Sequence, residues 1–136
     1  MTKRILVLGL AAAVAAGVAA EAAAPGKRFE WTTRSAEAKQ GLLELQQRIE
    51  SFQFGAETIA AAQKVVAADP DFAMGVYYLS AVTPPPDNET HLEKAVVLSK
   101  KASDGERRFV DAMVVARANQ GADFQKAIPA LETLAA

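Results

Sequence analysis

Residues 63–80 read QKVVAADPDFAMGVYYLS, and this stretch decides the fold that the sequence predicts. Apolar residues recur at spacings of three and four on both sides of Asp69-Pro70-Asp71, which is the periodicity of helices with one buried face. Proline disfavours helical geometry in the residue before it and suits the first turn of a new helix. The stretch therefore predicts the end of one helix, a tight turn and the start of another.

The same spacing continues towards the N-terminus, where a first helix is expected to begin after Ser35, a candidate N-cap. This helix is expected to bury a stripe formed by Ala38, Leu42, Leu45, Ile49 and Phe52. Gly55 interrupts the pattern before a second helix, whose inward face contains Ile59, Ala62 and Val66. A third helix with Val76 and Leu79 is expected to stop at Pro84, because three consecutive prolines cannot continue it.

Three further helices are predicted after the proline run. Asp87 or Asn88 is expected to cap the fourth helix, whose inward face contains Leu92, Ala95, Val96 and Ser99. Ser103 and Glu106 predict a capping box at the start of the fifth, in which the serine accepts from the first turn and the glutamate reaches back. A last helix is expected from about Asp123. No stretch alternates long enough to be a strand, so the sequence predicts an all-α fold of six helices in three antiparallel pairs.

The first residues have the layout of a secretory signal peptide. Two cations, Lys3 and Arg4, precede an uncharged apolar run from Ile5 to Ala20. The run is shorter and less hydrophobic than the roughly 20 strongly apolar residues that span a bilayer. We therefore expect residues 1–20 to be removed on export and the mature protein to be periplasmic or secreted, with no membrane contact after cleavage.

Small residues near the end of this run allow two cleavage sites, after Ala20 or after Ala22. Residues 21–34 have no sustained periodicity and are interpreted as a linker. The helical body is therefore assigned to residues 35–136, and a chain of 136 residues accommodates one domain of ordinary size.

Charge and cysteine content exclude several classes of function. The formal net charge of −1 offers no electrostatic attraction for nucleic acid, so no nucleic-acid partner is expected. The absence of cysteine leaves no disulfide framework. With one histidine and no cysteine, only carboxylates remain as metal ligands, and Asp69, Asp71 and Asp87 are better explained as turn and cap residues. No metal or other cofactor is expected.

His91 is the only candidate for the general base that a serine-type hydrolase needs. It falls in the first turn of the predicted fourth helix, where a solvated surface role explains it. There is no glycine-rich phosphate loop, since Gly9 belongs to the predicted signal peptide. The sequence thus predicts a protein that is not an enzyme.

The residues around Asp69-Pro70 resemble the junction between two tetratricopeptide repeats (TPRs), a family of helix pairs with a period of about 34 residues. The large apolar positions of such repeats are occupied by Leu42, Leu45, Ile49, Val76 and Leu79. Ser80 is small, as the family favours, whereas Gln46 and Thr58 replace residues that are usually smaller. The resemblance covers roughly the last three quarters of the chain. This part of the chain is similar to the N-terminal part of exported bacterial TPR proteins.

This resemblance implies a short TPR-like α-solenoid of three degenerate helix pairs in residues 35–136. In such arrays the first helices of the pairs line a concave groove that binds an extended peptide or a partner helix. The resemblance therefore implies a protein-interaction scaffold of the cell envelope. The implied groove positions are Gln40, Leu43, Gln47, Met74, Tyr77, Arg108, Asp111 and Val115. Leu43 and Met74 are better explained by packing, so the main candidates for partner contact are Gln40, Gln47, Tyr77, Arg108 and Asp111.

Two other functions fit the same pattern. The chain is also interpretable as the helical N-terminal accessory segment of a longer exported enzyme, or as a small helical pocket for an apolar ligand. The last predicted helix is apolar to its final residue, and terminal repeats need a polar outer face. We therefore expect further repeats or a homodimer formed through this helix.

Overall fold

The computed structural model describes residues 30–118 and Glu132, and residues 30–118 contain five α-helices and no strand. Their bounds are α1 Ala36–Glu50, α2 Ala56–Ala68, α3 Ala73–Val82, α4 Asp87–Ser99 and α5 Asp104–Ala118. The predicted all-α class is confirmed over this range. The predicted signal peptide and the start of the predicted sixth helix at Asp123 lie outside the described residues.

Most helix ends follow the local signals of the sequence. The Ser35 hydroxyl accepts a hydrogen bond from the Ala38 N–H at 3.0 Å and caps α1. Gly55, with a φ of 123°, precedes α2 in a conformation that side chains rarely adopt. Helix α2 stops before Asp69-Pro70, and α3 stops two residues before Pro84.

The expected cap of α4 is wrong. The helix begins at Asp87 itself after Pro86 as the capping residue, and no side chain caps it. Asp87 and Asn88 therefore lie inside the first turn, where their side chains cannot serve as the N-cap, and the Asn88 Oδ1 atom is buried without a hydrogen-bond partner.

The capping box of α5 is half correct. The Ser103 hydroxyl accepts from the Glu106 N–H at 3.3 Å, as predicted. The Glu106 carboxylate does not reach back to Ser103, because it accepts from the Thr32 N–H, while the Ser103 N–H donates to the Thr32 hydroxyl at 2.8 Å. A distant part of the chain has replaced the local partner of both groups.

Burial recurs along the chain with a period of 34 residues, which makes the described structure helical-repeat-like. Residues that lie 34 positions apart occupy equivalent places in α1, α3 and α5 or just before these helices. Two such sets are fully buried, namely Leu42, Val76, Val110 and Ala38, Phe72, Glu106. A third set provides the polar turn residues that precede the three helices, namely Ser35, Asp69 and Ser103.

Helix α2 packs between α1 and α3 through Val65, which is fully buried. A Cβ atom on Gly41 would lie 3.0 Å from one Val65 methyl, and a Cβ atom on Gly75 would lie 2.9 Å from the other. The two glycines are also 34 positions apart. Their lack of a side chain allows the close approach of the three helices. Consecutive helices contact each other throughout, and α3 also contacts α5.

Helix α3 is the central element of the core. It is buried almost all round, and its partners include α2, α4 and α5. Across α1 and α3, the Gln46 side-chain amide donates to the Tyr78 hydroxyl at 2.9 Å. This contact gives Gln46 a structural role.

The stripe predicted for the first helix ends earlier than expected. Ala38, Leu42 and Leu45 are fully buried and Ile49 is partly buried, but Phe52 is 85% exposed. Helix α1 ends at Glu50, so Phe52 lies in the turn beyond it, where the helical spacing no longer decides which way a side chain points.

Candidate functional site

Helix α1 exposes one polar face with a single large apolar residue in it. Gln40, Leu43, Glu44 and Gln47 are spaced three, one and three residues apart and are all exposed, Leu43 to 53%. The Gln40 side-chain amide donates to a Glu44 carboxylate oxygen at 3.0 Å. The structure therefore presents Gln40 and Gln47 to solvent on the same side of α1.

The groove positions of α3 are inside the core. Met74 and Tyr77 are both buried, and the Tyr77 ring lies edge-on to Tyr78 and Phe109 at centroid distances of 5.3 and 5.2 Å. Burial raises the pKa of Tyr77 to about 12, with a smaller raising effect of Tyr78 and an opposing effect of Arg117. Tyr77 is a packing residue here, and a partner on the surface reaches little of it.

The groove positions of α5 are exposed again. Arg108 and Asp111 lie one turn apart on the solvent-facing side, and Val115 follows on the same side. The predicted groove residues on α1 and α5 are thus exposed. Those on α3, which lies between these helices in the sequence, are buried.

A polar cleft of about 280 Å³ lies at the C-terminal end of α1. Its lining residues are Glu44, Gln47, Arg48, Ser51 and Gln53. Gln47 is the only one of them that the sequence predicted as a contact residue. The Arg48 guanidinium lies 3.9 Å from the exposed Glu57 carboxylate, a separation at which a solvated ion pair contributes little.

Two phenylalanines in the turn after α1 are exposed. The sequence pattern placed Phe52 in the predicted buried stripe and did not identify Phe54 as a surface residue. Phe52 is 85% exposed and Phe54 is 63% exposed. The signal that could have revealed them is the closeness of Gly55, which ends the helical spacing within one turn of Phe52.

Residues 30–33, the end of the predicted linker, are held against the turns that precede α3 and α5. The Trp31 ring packs on Phe72 with centroids 5.8 Å apart, and the Ser103 hydroxyl donates to the Glu30 carbonyl at 2.7 Å. The Thr33 hydroxyl donates to the Asp69 carboxylate. These contacts are structural, since they join the chain before α1 to the two later turns.

The described residues offer little to a metal ion. Within residues 30–118, no group of three or more histidine, aspartate or glutamate side chains is arranged to hold one. His91 is half-buried on α4. In the same range, no helix combines the length and the apolar character that crossing a membrane requires.

Comparisons of the chain with protein-family models, with curated proteins and with solved structures find no match. The interpretation of the surface therefore depends on its geometry.

Proposed function

We propose that the protein is a non-catalytic interaction scaffold of the cell envelope, which binds a peptide or a partner helix on a TPR-like surface. The observation that carries this proposal is the recurrence of buried positions at the TPR period of 34 residues, as in Leu42, Val76 and Val110. Repeat proteins of this kind act by presenting an extended, preformed surface rather than by chemistry.

The exposed face of α1 is the part of the surface that suits a partner best. Its buried face is occupied by Leu42 and Leu45, so the helix position is fixed by the core. Its outer face offers the amides of Gln40 and Gln47 as donors and acceptors and the side chain of Leu43 as an apolar contact. This combination of fixed backbone, amides and one exposed leucine supports binding with little ordering on association.

The proposed location in the cell envelope rests on the N-terminal sequence. Lys3 and Arg4 followed by the apolar run to Ala20 have the layout of an export signal. The mature protein would then meet its partner in the periplasm or outside the cell.

Site-specific photo-crosslinking tests this proposal. A photoreactive amino acid at Gln40 on α1 is compared with the same amino acid at Gln63, which is an exposed glutamine on α2. We expect a discrete crosslinked protein from the Gln40 position in the envelope fraction and none from Gln63. Equal yields from both positions, or none from either, would contradict a binding surface on α1.

A further inference from the structure

The turn after α1 contains an aromatic residue in a conformation that favours glycine. Phe52 has a φ of 56°, and its N–H donates to the Ile49 carbonyl at 3.0 Å while the Gln53 N–H donates to the Arg48 carbonyl at 2.9 Å. These two bonds form the Schellman motif, whose left-handed position is usually occupied by glycine or asparagine. A bulky side chain is unfavourable there.

The Phe52 side chain contributes little buried apolar surface to the folded state, because it is 85% exposed. Two residues further on, Phe54 is 63% exposed. Residues that break a local rule without a packing gain are expected at functional sites. The pair of exposed rings therefore requires an explanation outside the fold of the chain.

The turn holds the chain between the two rings in a fixed position. The buried Thr58 hydroxyl donates to the Gln53 carbonyl at 2.7 Å, which ties the residue between the two phenylalanines to the first turns of α2. Gly55 then starts α2 with its own positive φ. A surface fixed in this way pays little ordering entropy when a partner covers it.

The segment that contains the two rings has a net negative charge. From Glu44 to Glu57 the chain has three glutamates, one arginine and no lysine. All three glutamates are exposed. The polar cleft next to the turn is lined by Glu44 and by Arg48, whose guanidinium lies 3.9 Å from the Glu57 carboxylate. Carboxylates attract cations, and the face of an aromatic ring also attracts a cationic side chain.

We propose that Phe52, Phe54 and the adjacent polar cleft form a docking site for a basic peptide segment of a partner protein. In this site an apolar side chain of the segment covers the two rings, and a lysine or arginine of the segment pairs with the exposed carboxylates of Glu44 and Glu50. The inference rests on the proposed scaffold function and names the chemistry of its partner.

Fluorescence anisotropy with two labelled peptides tests the proposal on the full chain. One peptide alternates lysine and leucine over six residues, and the other alternates glutamate and leucine. We expect the basic peptide to bind at least about tenfold more tightly than the acidic one and to weaken as salt screens the carboxylates. The F52S/F54S variant is expected to lose about tenfold in affinity for the basic peptide.

Two variants serve as controls. V97S changes an exposed apolar residue on α4 and is expected to leave binding unchanged. The E44K/E50K variant changes two exposed glutamates of α1 and is expected to reduce or reverse the preference for the basic peptide, without removing a core contact. Circular dichroism of each variant checks that the helices are retained.

Several results would overturn the docking site. They are equal binding of the two peptides, no binding at millimolar concentration, and full binding by F52S/F54S. A dimer that dissociates on the F52S/F54S change would assign the rings to a second copy of the chain, and binding to anionic vesicles that depends on the rings would assign them to a membrane. Crosslinking from Gln40 that survives any of these results would leave the scaffold function standing without this site.

Discussion

The Thr32 backbone N–H donates a hydrogen bond of 2.6 Å to the Glu106 carboxylate, and it joins the chain before α1 to the first turn of α5. Glu106 is fully buried, and its second carboxylate oxygen has no hydrogen-bond partner. It occupies the position that is equivalent to Ala38 and Phe72 in the 34-residue period. A buried carboxylate with one unsatisfied oxygen is costly when it is ionised.

This environment predicts an unusual dependence of stability on pH. Burial raises the pKa of Glu106, with a smaller raising effect of Asp69, and the hydrogen bonds of Thr32 oppose both. Because the folded-state pKa lies above the unfolded value, the folded protein binds the proton more tightly. The contribution of Glu106 to stability is therefore fully present below the unfolded pKa, near 4.5, and is lost as pH rises through the folded pKa.

The E106Q variant tests this dependence, since glutamine keeps an acceptor for Thr32 but does not ionise. We expect the free energy of unfolding of E106Q, measured by urea denaturation, to rise relative to that of the unchanged protein as pH increases from about 4 to about 7. E93Q, at an exposed position on α4, is the control for the loss of one carboxylate. A difference that stays constant over this pH range would contradict the assignment.

The left-handed turn at Phe52 predicts a stabilising substitution. Glycine adopts this conformation without the clash of a Cβ atom, so F52G is expected to raise the free energy of unfolding by about 1 kcal/mol. Phe54 does not have a positive φ, so F54G is expected to give no such gain. Urea denaturation of both variants provides the comparison, and an equal or larger gain from F54G would argue against strain at Phe52.

Two neighbouring leucines of α1 are expected to differ sharply in their contribution to stability. Leu42 is fully buried, and L42A is expected to cost about 2–5 kcal/mol through lost burial and the cavity that remains. Leu43 is 53% exposed, and L43A is expected to change stability by no more than about 0.5 kcal/mol. Similar costs for the two variants would mean that the face of α1 described as exposed is covered.

The close packing of α2 on α3 predicts that G75A destabilises the protein by about 1–3 kcal/mol, although alanine favours helices. The added Cβ atom would lie 2.9 Å from a methyl group of Val65 and 3.2 Å from a ring atom of Phe72. Because the Val65 contact is the closer one, the cost of G75A should fall by at least about 0.5 kcal/mol in a V65A background. Thermal or urea denaturation of the two single variants and the double variant measures this coupling. If the changes in the free energy of unfolding of the two single variants add up to that of the double variant, the contact with Val65 is not the cause of the G75A cost.

The helices and most of their ends were predictable from the sequence because their signals are local. The apolar spacing of three and four located α1 to α5, and Gly55, Asp69-Pro70 and the proline run from Pro84 marked three helix boundaries. The predicted buried stripe of α1 was correct for as long as the helix lasted. These features depend on residues within about one or two turns of each other.

The candidate site was less predictable, because exposure depends on which neighbours arrive from elsewhere in the chain. Tyr77 has the sequence position of a groove residue but is covered through contacts with Tyr78 and Phe109. Phe52 has the spacing of a core residue but lies beyond the end of α1. Neither outcome follows from periodicity alone.

The sequence by itself determined where α1 to α5 form, since helical periodicity and proline and glycine signals act within a short stretch of backbone. The tertiary structure alone decided that the Glu106 carboxylate accepts from Thr32 instead of Ser103 and that the side chains of Phe52 and Phe54 face solvent. The physical reason is that a polar group bonds to whichever donor packing brings within reach. That donor can lie anywhere in the chain.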